Sequence, residues 1–170
     1  MSIEFDKETK MAKVILICGK ICAGKTTYAK KLMKEKRAVR LNSDEIMLSL
    51  FDPFLGENHE AVLHKVMEYI YRKSLEIYET GISVILEGGF WQRELREEAS
   101  SFYAAHGITP QWHYVDVSEE AWKRNIEMRN QQALKGEPDV YPVDENLLQK
   151  FLDPDDIPSR EEMDIWYKND

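Results

Sequence analysis

The sequence lacks the features that mark an oxidised, membrane-bound or strongly basic protein. It has two cysteines, Cys18 and Cys22, in 170 residues. Two thiols this close make no disulfide framework, and two ligands complete no zinc site. No apolar run approaches the roughly 20 residues that span a bilayer. Positive charge is in deficit, with 23 Lys and Arg against 31 Asp and Glu and a net charge of −8. That balance weighs against a nonspecific grip on nucleic-acid backbone, which needs a basic field, and leaves room for a local basic pocket. The first residues, Met1-Ser2-Ile3-Glu4-Phe5-Asp6-Lys7-Glu8, are polar and acidic, unlike a secretory signal. His59, His64, His106 and His113 have no metal-binding spacing. Internal repeats and low-complexity segments are also missing. These absences together describe a cytoplasmic protein.

The 43% hydrophobic and 32% charged content suits one folded domain over residues 1–170. Val14 to Cys18 is a continuous apolar run, the pattern of a strand covered on both faces. A glycine-rich turn follows, then a helix from Thr26 to Lys36 and a short strand from Ala38 to Leu41. Asn42 and Ser43 are candidate caps for a helix through Leu50, with Glu45 at the capping-box position if Asn42 is the cap. Asp52-Pro53 breaks that helix. Apolar residues at helical spacing predict a helix over 57–80, ended by Gly81. Further strands are expected over 82–86, 112–117 and 163–167, a helix reaching His106, and a helix capped by Ser118. The fold class is α/β, a three-layer fold with a parallel sheet of about five strands and helices on both faces. Ligands on such sheets bind at the carboxyl ends of the strands.

The first of those ends carries the most specific motif. Gly19-Lys20-Ile21-Cys22-Ala23-Gly24-Lys25-Thr26 matches G-x-x-x-x-G-K-[ST] in full. Its glycines let successive backbone N–H groups point at phosphate oxygens. Lys25 reaches the β- and γ-phosphates, the Thr26 hydroxyl can ligate Mg²⁺, and the helix presents its positive end to the anion. The strand before and the helix after are the context that separates this loop from a chance match. Gly19 through Thr26, with Thr27 beside it, is therefore assigned to ATP with Mg²⁺. Cys22 reads as a small filler.

A phosphate loop alone does not separate a kinase from a hydrolase or a switch. A kinase needs a carboxylate near the acceptor hydroxyl. Asp44 stands just past the second strand, where it serves either as that base or as a first-turn helix aspartate. Glu87 ends the third strand, either helping to hold Mg²⁺ or standing in solvent. Arg93 and Arg96 offer charge to an anionic acceptor, and surface pairing with Glu94, Glu97 or Glu98 is the plainer reading for Arg96.

Together the phosphate loop, Asn42-Ser43-Asp44-Glu45, Glu87-Gly88-Gly89-Phe90-Trp91-Gln92-Arg93, Arg124 and Arg129-Asn130 resemble the small P-loop kinases. The group is the one that includes polynucleotide kinase, zeta toxin and chloramphenicol phosphotransferase, and the likeness runs from Lys13 to Asn130. It implies that Asp44 is the base toward the acceptor hydroxyl. It also implies a lid at about 118–140 whose Arg124 and Arg129 close over the donor. An arginine commonly follows the aspartate by three positions, and this chain has Met47 there. Five residues apart, Arg124 and Arg129 point about 140° from one another on an ideal helix, so both reach a phosphate only if the lid bends.

Phe90, Trp91, Trp112 and Tyr114 read as core rather than a base-stacking platform. The acidic tail, with Asp153, Asp155, Asp156, Glu161 and Glu162, reads as solvated surface. The expected activity is ATP-dependent transfer of the γ-phosphate to a hydroxyl of a small molecule or nucleotide. A regulatory nucleotide binder or slow ATPase is the alternative, and a polynucleotide 5′-hydroxyl kinase a second.

Overall fold

Val14–Cys18 (β1) is buried along its whole length because it is the middle strand of the sheet. The computed structural model describes residues 11–51, 55–137, 140 and 142–170. The sheet has five strands: β1, Val39–Asn42 (β2), Val84–Glu87 (β3), Gln111–Asp116 (β4) and Ile165–Lys168 (β5). Their order is β2-β3-β1-β4-β5, and every pairing is parallel. Parallel neighbours need crossovers, and helices supply them on both faces. The expected three-layer α/β architecture is therefore the one observed.

Alternate residues of β1 feed two cores, as the two-residue period of a strand requires. Val14, Leu16 and Cys18 pack with His59–Glu79 (α3) and Arg93–Ala105 (α4) through residues such as Ile70, Tyr71 and Tyr103. Ile15 and Ile17 pack on the other face with Lys25–Lys36 (α1) and Glu119–Leu134 (α5) through Tyr28, Leu32, Ala121 and Trp122. Phe90, Trp112 and Tyr114 are buried in the first core. Among the described residues no helix is long and apolar enough to cross a membrane.

Local signals set the boundaries. Asn42 caps Ser43–Leu50 (α2), its side-chain oxygen accepting from the Glu45 N–H at 2.8 Å. Ser118 caps α5 by accepting from the Ala121 N–H. The Asp52-Pro53 break, the leader reading of Met1 to Glu8 and residues 138–139 of the expected lid lie outside the described residues; α2 itself ends at Leu50. The second and third strands each run one residue further than the sequence suggests, to Asn42 and Glu87. Those two polar residues are register partners, and the bond between them extends the pairing.

Candidate active site

The phosphate loop connects β1 to α1, and its shape depends on glycine. Gly24 has φ +92°, a conformation costly for other residues, and a Cβ there would meet the Asn169 side chain at 2.2 Å. Asn169 Nδ2 donates to the Ala23 carbonyl at 2.8 Å, so the chain's last turn braces the loop. From the other side α5 braces it twice. Trp122 Nε1 donates to the Ile21 carbonyl at 2.6 Å and Asn125 Nδ2 to the Cys22 carbonyl at 2.9 Å.

Lys25 opens α1, and its ammonium donates to the carbonyls of Gly19 at 2.9 Å and Lys20 at 2.7 Å. Burial lowers its pKa below the ordinary lysine value, and the fields of Asp44 and then Glu87 offset part of that. The two candidate carboxylates and the loop lysine thus share one electrostatic neighbourhood. Thr26 and Thr27 are exposed beside it.

Strand register builds the carboxylate side. Ile85 and Glu87 lie on the α1 face of β3, opposite Arg40 and Asn42 of β2. Arg40 Nη1 donates to Glu87 Oε1 at 2.6 Å, and Asn42 Nδ2 donates to the same oxygen. Arg40 also pairs with Glu45. Glu87 is 2% exposed, so it does not stand in solvent. Its second oxygen, Oε2, is buried with no hydrogen-bond partner. Gly88 follows at φ +104°, where a Cβ would sit 2.3 Å from the Ser43 hydroxyl.

Asp44 lies in the first turn of α2, exposed at this edge. Capping falls to Asn42, and among the described residues no hydrogen bond or ion pair holds the Asp44 carboxylate. Met47, one turn on, is buried in the core.

Helix α5 runs unbroken from Glu119 to Leu134, so the bend that would let both lid arginines reach one phosphate is not present in it. Arg129 is seven residues from Trp122, about 20° away around the helix, on the side that holds the loop. Arg124 is on the far side, exposed and paired with Glu120 at 3.2 Å.

The helix after β3 reverses one expectation. Arg93 is exposed and pairs with Glu97 at 3.2 Å. Arg96 makes no surface pair with Glu94, Glu97 or Glu98: it is 5% exposed, its Nη1 donating to the Trp91 and Asp156 carbonyls, each at 2.9 Å. It shares a helix face with Ala99 and Tyr103, three and seven residues on and both buried, and that spacing was its signal in the sequence. The tail is only partly the solvated surface expected of it. Asp156 Oδ1 accepts from the Arg93 N–H at 2.9 Å, which fastens the tail to the start of α4. Other residues that sequence reasoning missed are Arg40, Trp122, Asn125 and Asn169. Each acts across more than 40 positions or through a backbone carbonyl, which no local pattern marks.

The donor atoms fit a hard divalent cation. Glu87 Oε2 is an unpartnered buried carboxylate oxygen, and Thr26 offers a hydroxyl at the start of α1. Among the described residues no group of three or more His, Cys, Asp or Glu could hold a metal ion.

Comparisons with known proteins bear on the fold. A model of the family described as AAA domain matches residues 14–152. No curated protein matches the chain. Among solved structures, a "putative kinase" from Chloroflexus aurantiacus is similar, with a TM-score of 0.68, 18% identity, and coverage of 94% of this chain and 88% of that one. The Mycobacterium tuberculosis APS kinase CysC, solved with AMPPNP and APS, has a TM-score of 0.61 at 16% identity, with coverage of 94% and 90%. A chain of the Pnkp1/Rnl/Hen1 RNA repair complex has a TM-score of 0.67 at 15% identity, covering 84% of this chain and 43% of that one. The chain shares its fold with these structures.

Proposed function

The chain belongs to the family described as AAA domain, and from that premise we propose that it is an ATP-dependent phosphotransferase moving the γ-phosphate to a hydroxyl of a small molecule or nucleotide. One observation carries the reading. Lys25, the cation of the phosphate loop, lies in the fields of two carboxylates, Asp44 and Glu87, from the neighbouring strand ends. A hydrolase orients a water against the γ-phosphate, and a kinase an acceptor hydroxyl. A second carboxylate, unpaired and exposed, is what an acceptor hydroxyl requires.

In this reading Gly19 to Thr27 hold the triphosphate, with backbone N–H groups and the Lys25 ammonium on its oxygens. Lys25 leaves the carbonyls of Gly19 and Lys20 for the phosphates. Thr26 and Glu87 Oε2 would hold Mg²⁺ or its waters, and the ion would supply neutralising charge between the phosphoryl groups. Arg40 and Asn42 fix the Glu87 carboxylate so that one oxygen stays available. Asp44 accepts the acceptor's hydroxyl proton as the oxygen attacks phosphorus and the bond to the ADP oxygen breaks. Arg129, on the loop side of α5, serves the donor phosphates better than Arg124. Arg93 stands at the acceptor side.

The test is an acceptor screen with γ-labelled ATP over sugars, nucleosides and an oligonucleotide with a 5′-hydroxyl. The oligonucleotide is included because an RNA repair protein shares the fold. Label is expected in one acceptor class, and Asp44→Ala should lower kcat by roughly 10²–10⁴-fold with ATP affinity unchanged. Full transfer by Asp44→Ala would remove Asp44 from the base role. The second reading, a nucleotide-binding regulator or slow ATPase, draws on the uncharged, core-packed Met47. It predicts ATP consumption that no acceptor accelerates.

A further inference from the structure

Arg96 is the buried charge that the proposed donor chemistry leaves unused. Its Nη1 is engaged by the carbonyls of Trp91 and Asp156, but Nε and Nη2 have no hydrogen-bond partner and are buried. These two nitrogens form one edge of the guanidinium, the edge whose parallel N–H groups pair with two oxygens of a carboxylate or phosphoryl group. Leaving such an edge dry and unpaired is costly, so a partner is expected there.

Arg96 lines a cavity of about 20 Å³ together with Cys18, Gly19, Lys20, Trp91, Tyr114 and Phe151. Asp153, Asp156, Ile157 and Pro158 complete its wall. The cavity backs directly onto Gly19 and Lys20, the residues whose carbonyls hold the Lys25 ammonium. It therefore lies next to the phosphate loop, on the α4 face of the sheet. Its present volume suits one water molecule. A larger guest requires the 151–158 segment to shift. Two bonds through Asp156, from the Arg93 N–H and from Arg96 Nη1, and the Trp91–Phe151 ring contact at 4.8 Å hold that segment. Neither wall carboxylate is idle. Asp156 Oδ1 accepts from Arg93 and Asp153 Oδ1 from the Asp155 N–H.

We propose that the Arg96 cavity is an oxyanion subsite of the acceptor pocket, taking a carboxylate or phosphoryl group of a hydroxyl-bearing acceptor. The inference rests on the phosphotransferase reading and narrows its substrate to an anionic alcohol. Trp91, Tyr114 and Phe151 flank the anion with apolar surface, which strengthens its pairing with the guanidinium. The 151–158 segment opens to admit the acceptor and closes over it.

The experiment fills the phosphate loop with a non-hydrolysable ATP analogue and then titrates inorganic phosphate and acetate calorimetrically. A filled loop keeps the probe anions from occupying it. Wild type is expected to bind a probe anion, Arg96→Gln roughly tenfold or more weakly, and Arg96→Lys in between because it keeps charge without the fork. Analogue affinity should match in all three, which also confirms folding. Equal anion binding by wild type and Arg96→Gln, or no uptake by analogue-filled wild type, would overturn the subsite and leave a water-filled structural cavity. The wild-type titration decides if Arg96→Gln does not fold. In the acceptor screen, KM for anionic alcohols should rise in Arg96→Lys while that for their neutral counterparts stays constant. Anion binding at Arg96 without transfer to any acceptor would contradict the phosphotransferase reading and spare the subsite.

Discussion

The proposed donor half of the sheet edge and the dispersed half beside it hold their charges by different means. In the donor half eight consecutive residues form the loop, braced through carbonyl contacts from Trp122, Asn125 and Asn169. In the dispersed half no segment is sufficient. Glu87 is held by Arg40 and Asn42, 47 and 45 positions away, and Arg96 is tied to Asp156, 60 positions away. A contiguous loop carries its own geometry. A dispersed site borrows it from strand register and helix packing, so there substitution should change chemistry and stability together.

Breaking the donor half at its centre should give the largest effect. Lys25→Ala removes the loop lysine that opens α1, and transfer should fall by roughly 10²–10³-fold or more, with the ATP dissociation constant rising in the same variant. Unchanged ATP affinity and turnover would mean the loop is not the donor site.

The dispersed half should answer first in stability. Arg40→Met leaves the buried Glu87 carboxylate without its charge partner, and unfolding free energy should drop by about 3 kcal/mol in denaturant titrations. The double variant Arg40→Met/Glu87→Met should recover much of that loss, because it leaves no buried charge unpaired. Equal stabilities in the single variant and wild type would show that Arg40 does not support Glu87.

The smallest effect separates folding from chemistry. His113 is buried on the α1 face of β4, its Nδ1 on the Tyr28 hydroxyl at 2.9 Å and its Nε2 without a partner among the described residues. Burial lowers its pKa from 6.5 to about 4. The unfolded chain therefore binds the proton more readily than the folded one between those values. This group's contribution is present above pH 6.5 and is lost as pH falls toward 4. Melting temperature should decline across that window, and His113→Gln should flatten the decline. A parallel decline in both proteins would assign it to other groups.

The same division explains how much was legible beforehand. Gly19 to Thr26 could be read because the chemistry sits in one window with a strand before it and a helix after it. The sheet could be read because Val14 to Cys18 and Val84 to Leu86 are continuous apolar runs and the other strands alternate with helices. The Asn42 cap and the Ser118 cap were equally local. Glu87 was placed correctly at a strand end, but its pairing with Arg40 depends on β2 lying beside β3, which no single segment encodes. Arg96 sits among glutamates in sequence and so resembles surface, yet its helical phase with Ala99 and Tyr103 turns it inward. The tail looked like solvent-facing acid because the ties of Asp156 to α4, through its carboxylate and its carbonyl, are invisible without the fold.

The most direct test of phosphotransfer follows the fate of the γ-phosphate. With γ-labelled ATP and the best acceptor from the screen, the account predicts one labelled acceptor per ATP consumed, little free inorganic phosphate, and loss of the coupled product in Asp44→Ala. Label released wholly as inorganic phosphate, at a rate indifferent to acceptor and to Asp44, would contradict it.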